Sequence, residues 1–462
     1  MAGMGNAARS RALLGAVIGA VVLLSAAGAG ADSSFTFLRQ SGPDRFATTC
    51  QAAIDAYNPN GSTPINTVYL ANGLPGHQSD ALAAPFAEAN KSAPILFTDS
   101  GSSVPANTMT CLKSNQVKNI IVIGGPGSVP PNQVSSLQSA GYMVTAPYGG
   151  TSRFDTAQMV DETPGFAAGT SGGGPTGILT SGDDAHLIDA EGVGPLSFAK
   201  KFPVVLTTST GCSLPSQSAD VVSKLGLRKL IVVGGPGSVP TCQYQNNPQL
   251  SGMTFDTTAT GGADRSATAR LLADDEVSAY GLSSACLGLA AGATYAGNGS
   301  ALQNDGADAL GSAPAQGLQL CPLLITLNPA NAGSADDYAR AHAGSLKGGP
   351  GQTPDYLWGG NTTMPTATAS DVATSAGGTF TTGQVTLFQS SLQPGENVQG
   401  QVENPPAVAS LSVNGCGLTN RAISDYNPGP FSLTLPSSGQ TGSCHLTFTA
   451  TLSGGGTTTT TR

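Results

Sequence analysis

The sequence predicts an α/β protein of three tandem modules, each a parallel sheet covered by helices on both faces, followed by a small immunoglobulin-like β-sandwich. Three observations carry this. Ile120 to Pro130, Ile-Ile-Val-Ile-Gly-Gly-Pro-Gly-Ser-Val-Pro, returns almost letter for letter as Leu230 to Pro240. Around each copy, strand-like and helix-like patterns alternate with short links, which implies a parallel sheet with right-handed crossovers. From about Gln384 the pattern changes to short alternating runs broken by Pro and Gly, as strands joined by turns require.

Four landmarks recur in one order three times. Gly42-Pro-Asp-Arg45, Gly150-Thr-Ser-Arg153 and Gly262-Ala-Asp-Arg265 come first; Asp80-Ala-Leu, Asp189-Ala-Glu and Asp308-Ala-Leu come second. Pro94-Ile-Leu-Phe-Thr, Phe202-Pro-Val-Val-Leu-Thr and Cys321-Pro-Leu-Leu-Ile-Thr are third, and the Gly pairs at 124, 234 and 359 are last, the final pair following Tyr356-Leu-Trp. The copies lie 108 to 125 residues apart, the length of a small domain rather than of a solenoid unit. The expected boundaries are 36–147, 148–257 and 258–382 for the modules, 384–454 for the β-sandwich, and 455–462 for a disordered Thr-rich tail.

The first copy sets the expected elements. Asp44 to Tyr57 reads as a helix with Arg45 in its opening turn, Thr67 to Ala71 as a strand, and Ala81 to Asn90 as a helix. Pro94 to Thr98 is a strand, Pro105 to Lys113 a helix, Ile120 to Ile123 a strand, Pro131 to Ala140 a helix, and Met143 to Pro147 an edge strand. Ligands of such open sheets bind outside the carboxyl ends of the strands, which is where Asp80 and the Gly-Gly turn fall.

The chain begins with Arg9 and Arg11, an apolar run from Ala12 to Leu24, and Ala29-Gly-Ala31. This predicts a signal peptide over residues 1–31, and no later stretch is apolar enough to cross a bilayer, so the mature chain is expected to be secreted. Charged residues are only 10% of the chain, against 62 Gly and 31 Pro, so the surface is Ser-, Thr- and Asn-rich with many turns. The net charge of −9 excludes non-specific attraction to nucleic acid. Eight cysteines fall two to a domain, and an exported chain is expected to oxidise them. Nearest-neighbour pairing is adopted: Cys50 with Cys111, Cys212 with Cys242, Cys286 with Cys321, Cys416 with Cys444. A metal site is not expected, because no C-x-x-C spacing occurs and there are only four His.

Arg45, Arg153 and Arg265 are the only cations placed alike in all copies. A threefold set of guanidiniums can bind phosphate or carboxylate in forked geometry; the other reading pairs each with a neighbouring carboxylate, Asp44, Asp155 or Asp264, at a helix start. Asp80, Asp189 and Asp308 precede Ala-rich helices, where they can cap or contact ligand. His77 and His186 lie three residues before the first two aspartates, and Asp305 holds that place in the third copy; a solvated loop is the simpler reading.

Together these landmarks resemble the cell wall-binding repeat 2 family, over about residues 36 to 382. The resemblance implies α/β modules assembled as a pseudo-trimer that attach proteins non-covalently to anionic polymers of the Gram-positive wall. It also implies that the strand motif takes part in polymer attachment, which falls here on Ile95, Leu96, Val204, Val205, Leu323 and Leu324. This chain departs from the family pattern at Leu357-Trp358 and at Glu191, and its acidity requires that an anionic polymer be held locally or that the ligand be a neutral glycan.

No G-x-S-x-G, H-E-x-x-H or close Ser, His and Asp set occurs, so no catalytic residue and no cofactor is expected. The reading is a non-enzymatic surface protein bound to cell-wall polymer or glycan, whose β-sandwich faces outward or contacts a protein partner. The alternatives are a freely secreted glycan- or protein-binding scaffold and, third, a hydrolase of envelope glycan.

Overall fold

The computed structural model describes residues 37–58, 63–292, 294–295, 302–304, 306–346, 355–378, 380, 384–387, 395, 397–403, 407–427, 430–437 and 444–461. The expected signal peptide and Asp305 lie outside the described residues.

Each copy opens on a helix whose first turn explains its motif. In Arg45–Tyr57 the Asp44 carboxylate accepts the Ala47 N–H, and in Arg265–Ser278 Asp264 does the same for Ala267. In Arg153–Asp161 the cap is Ser152, closed into a capping box by Asp155. These acidic neighbours therefore satisfy helix N–H groups. The glycine three residues before each Arg packs against that first turn. A Cβ on Gly150 would lie 2.0 Å from Asp155 Cβ, and one on Gly42 2.2 Å from Ala47 Cβ. Gly150→Ala is therefore expected to cost about 1–3 kcal/mol by overpacking, read as a lower urea midpoint.

The sheets have one plan. In the first, Ile95–Thr98, Thr67–Asn72, Asn119–Ile123 and Met143–Tyr148 lie in that order, all parallel. In the second the order is Val204–Thr207, Gly174–Ser181, Lys229–Val233 and Thr254–Asp256, again parallel, with Thr170–Ser171 turned back against the long strand. In the third it is Leu323–Ile325, Gly288–Ala290, Asp355–Trp358 and Phe37–Gln40.

The fourth strand closes a ring. In the first two sheets it is the strand just before the next copy's opening helix; in the third it is the strand just before the first copy's helix. Phe37–Gln40 thus crosses from the head of the chain to sheet three, which corrects the expected module starting at residue 36.

At the centre, helices Ala84–Lys91, Gly194–Lys200 and Ala313–Leu318 pack on one another. Small residues permit the approach: a Cβ on Gly194 would sit 2.8 Å from Ala313 Cβ. One buried cluster draws on all three copies, with Leu82, Phe97, Val193, Leu196, Leu206 and Leu310 among its members. The expected helix Ala81 to Asn90 is a 3-10 turn, Gln78–Ala83, followed by the α-helix Ala84–Lys91, because Pro85 supplies no N–H to a continuous helix.

All four nearest-neighbour disulfides are formed. The C-terminal region holds two antiparallel sheets, Val385–Leu387 with Asn397–Val402 and Phe431–Thr434, and Leu418–Ile423 with Val408–Gly415, Thr447–Leu452 and Thr457–Thr461. They share one core that includes Val398, Val413, Phe431 and Phe448. The expected disordered tail is corrected here: Thr457–Thr461 is an edge strand paired with Thr447–Leu452, consistent with the β-propensity of threonine.

Candidate functional site

The repeated polar residues meet between copies, at the carboxyl ends of the strands. After each third strand the chain turns on a glycine with φ of +116° at Gly124, +114° at Gly234 and +104° at Gly359, a conformation that glycine adopts without strain. Each turn leans on the copy that follows. Gly234 N–H donates to the Ala259 carbonyl at 3.2 Å and Gly359 N–H to the Gln40 carbonyl at 2.9 Å.

Each aspartate lies against its own turn. A Cβ on Gly124 would be 2.9 Å from Asp80 Oδ2, and one on Gly359 2.6 Å from Asp308 Oδ2. Ser238 Oγ donates to Asp189 Oδ2 and sits 3.1 Å from His186 Nδ1. The hydroxyl four residues after the first glycine, Ser128, Ser238 or Thr363, therefore belongs to the site. Sequence reasoning missed it, although its identical offset in three copies was available as a signal.

The capping reading of the aspartates is corrected. Asp80, Asp189 and Asp308 lie inside their first helical turns, after His77, His186 and Gly306, and none of these ends has a side-chain cap. Burial raises the Asp80 carboxyl above its ordinary range, opposed by the nearby hydroxyls of Ser128 and Thr156 and by the charges of His77 and Arg153. Two of those groups, Thr156 and Arg153, come from the second copy. The histidines likewise adjoin the site rather than a solvated loop.

The arginines stand at the facing helix starts. Arg45 Nη1 donates to the Gly73 carbonyl at 2.7 Å, and Arg153 Nη1 donates to the Gly182 carbonyl and pairs with Asp184 Oδ1 at 2.6 Å. Arg265 runs past Gly292, where a Cβ would be 3.1 Å from its Cδ. All three are half-buried. Between the third and first copies Arg45 bounds a cavity of about 270 Å³, lined also by Gly42, Asp44, Thr48, Asp308 and Thr363. Such a cleft, with a guanidinium on one wall and carboxylate and hydroxyl on the other, suits a polar, anionic or hydroxyl-rich ligand.

The strand motif is corrected as a contact site. Ile95, Leu96, Val204, Val205, Leu323 and Leu324 are all buried in the cores, so an external polymer cannot touch their side chains in this structure. Ile95 and Val204 belong to the central cluster, where they hold the copies together. Glu191, standing where the other copies have Leu82 and Leu310, is also buried, and its carboxyl lies over Gly306 at the start of the third copy's helix Ala307–Gly311. No group of three or more His, Cys, Asp or Glu able to hold a metal ion occurs among the described residues.

Comparison with known proteins places this architecture. The family model "Cell wall binding domain 2 (CWB2)" matches residues 39–134 and 148–242. N-acetylmuramoyl-L-alanine amidase LytC of Bacillus subtilis (strain 168) is 28% identical over 210 residues, 46% of this chain and 38% of that protein. Among solved structures, Cwp6 from Clostridium difficile is similar with a TM-score of 0.58 at 21% identity, covering 74% of this chain and 48% of that one. Cwp8 from the same organism gives 0.56 at 18%, covering 74% and 52%. These two likenesses bear on the fold alone, and the chain spans about half the length of each, and less of the amidase. Over residues 39–134 and 148–242, this chain is thus similar to the cell wall binding domain 2 family.

Proposed function

We propose that this protein is a secreted, non-enzymatic surface protein whose three copies form a pseudo-trimer that attaches non-covalently to a Gram-positive cell-wall polymer. The observation that carries the reading is the recurrence of one aspartate and one turn hydroxyl at each glycine turn, with an arginine of the next copy beside two of them, Arg153 near Asp80 and Arg45 across a cavity from Asp308. The ligand is an anionic polymer gripped locally by Arg45, Arg153 and Arg265, with Asp80, Asp189 and Asp308 receiving its hydroxyls. Local grip is required because the chain carries a net charge of −9, which opposes long-range attraction to a polyanion.

Two features support a local contact of this kind. The cleft walls come from different copies, so a bound chain also ties the ring together. Arg45 and Arg153 are each anchored to a backbone carbonyl of their own copy, which pre-organises the fork.

The test is co-sedimentation of the mature chain with purified walls, before and after hydrofluoric acid strips phosphate-linked polymers. Retention that disappears on stripping is the expected result. Retention that survives stripping would transfer the ligand to the glycan, and no retention on either wall would remove the anchoring role.

A further inference from the structure

The three turns are not equivalent in the folded chain, and the difference lies in one buried arginine. Pro126 and Gly127 at the tip of the first turn, and Pro236 and Gly237 at the second, are exposed. At the third turn, the C-terminal strand Asn397–Val402 sits on the tip. Asn361 N–H donates to Gln401 Oε1 at 3.4 Å, and Asn361 Nδ2 donates to the Val402 carbonyl at 3.2 Å. Gln401 Nε2 donates to Ser41 Oγ.

Beneath this contact lies Arg39, 1% exposed. Its Nη2 donates to Glu403 Oε2 at 3.0 Å and its Nε to the other oxygen, a forked pair whose carboxylate is also 1% exposed. Its Nη1 donates to the carbonyls of Gly359 and Met364, at 2.7 and 2.8 Å. Thr366 Oγ1 adds a third donor to Glu403 at 3.0 Å. A buried carboxylate needs such partners, because an unpaired buried charge is strongly unfavourable.

Neither of the other fourth strands offers that partner. Residues 143–152 and 254–264 contain no Lys or Arg, so Glu403 would be buried without a cation on either of the first two turns. Arg39 also stands between the walls of the third cleft: Gly42, Asp44 and Arg45 follow it in the chain, and Gly359, which it binds, precedes Gly360 and Thr363 on the opposite wall.

We propose that Arg39 is the specificity determinant that seats the C-terminal β domain on the third turn alone, and that the Arg39–Glu403 pair is a clasp that fixes both walls of the cleft between the third and first copies. The C-terminal domain is then a fixed part of the envelope-facing ring rather than a tethered display module, and the third cleft is regulated by it while the other two are not. What that cleft binds rests on the function proposed above; the clasp itself does not.

The experiment uses the full mature chain with a protease site inserted between Phe380 and Gln384. After cleavage, the wild-type C-terminal fragment should co-elute with the ring at micromolar concentration, and Glu403→Gln should weaken that association at least 100-fold. Gln401→Ala, which leaves no buried charge unpaired, should weaken it about tenfold and so serves if E403Q folds poorly. Hydrogen exchange of the uncut chains should rise at least tenfold over residues 37–45 and 355–364 in E403Q, with 119–128 and 229–238 unchanged. Separation of the cut wild-type halves would overturn the clasp. Unchanged exchange over 37–45 in E403Q would overturn its hold on the cleft. Neither readout uses wall polymer, so a failure here is distinguishable from a failure to bind walls.

Discussion

The melting temperature of the full chain should fall as the pH is raised from 5 to 8.5, and Glu88→Gln and Asp355→Asn should each flatten that fall. Several carboxyls are buried in the ring, Glu88, Asp161, Glu276 and Asp355 among them. Burial pushes Glu88 up to about 8, with the Ile95 N–H pulling the other way, and pushes Asp355 up to about 8 against the Leu287 N–H. Asp161 and Glu276 are also held well above their ordinary range by burial, with a nearby carboxylate adding to it in each case.

A group whose folded value is raised keeps its proton on folding, so its contribution to stability is fully present below the unfolded value, near 4. It is lost progressively as the pH climbs to the folded value near 8. Each of the two groups should therefore lose a few kcal/mol across that window. The amide variants stay neutral and retain the oxygen that accepts the backbone N–H. A melting temperature that is flat or rising between pH 5 and 8.5 in the wild type would contradict this account.

Phe37→Ala should destabilise the third copy by about 3–5 kcal/mol, while the first two sheets are unaffected. Phe37 is 1% exposed and packs in the third core beside Leu289, Leu357 and Met364, with its ring 6.2 Å from that of Phe380. It lies on the strand that completes the ring, so the cavity opens where the head of the chain, the third sheet and the segment leading to the C-terminal domain meet. Urea unfolding followed by hydrogen exchange at residues 355–358 measures the effect. Equal loss of protection at residues 119–123 would show that the copies melt as one unit and that the strand has no local role.

Much of the fold was legible because it is local and repeated. Strands such as Ile120 to Ile123 are apolar runs ended by glycine, and helices such as Arg45–Tyr57 announce themselves with Asp44. What the sequence hid is non-local. Nothing in Phe37-Leu-Arg-Gln says that its partner is Asp355–Trp358, more than 300 residues away, because a parallel edge strand carries no turn to fix its neighbour. The Thr-rich tail looked disordered by composition, yet its backbone pairs with Thr447–Leu452.

The site was legible in part. Repetition singled out the arginines and aspartates, and the structure gathers Arg153 with Asp80 and Arg45 with Asp308. That their meeting place lies between copies was not legible, since each pair is drawn from two repeats. Ile95, Leu96 and their counterparts were read as contacts through the family resemblance, whereas their burial makes them the ring's interior. Arg39 escaped notice because the other two copies have Pro147 and Ala259 in its place, and its partner Glu403 lies in another domain.

The most direct test of the central claim is wall retention of the triple variant Arg45→Gln, Arg153→Gln, Arg265→Gln, beside the three single variants, all with melting temperatures checked. Loss of roughly one junction per single change, and loss of retention on unstripped walls in the folded triple variant, is the expected result. Undiminished retention of a folded triple variant would contradict the account, because the clefts between copies would then not be where the polymer is held.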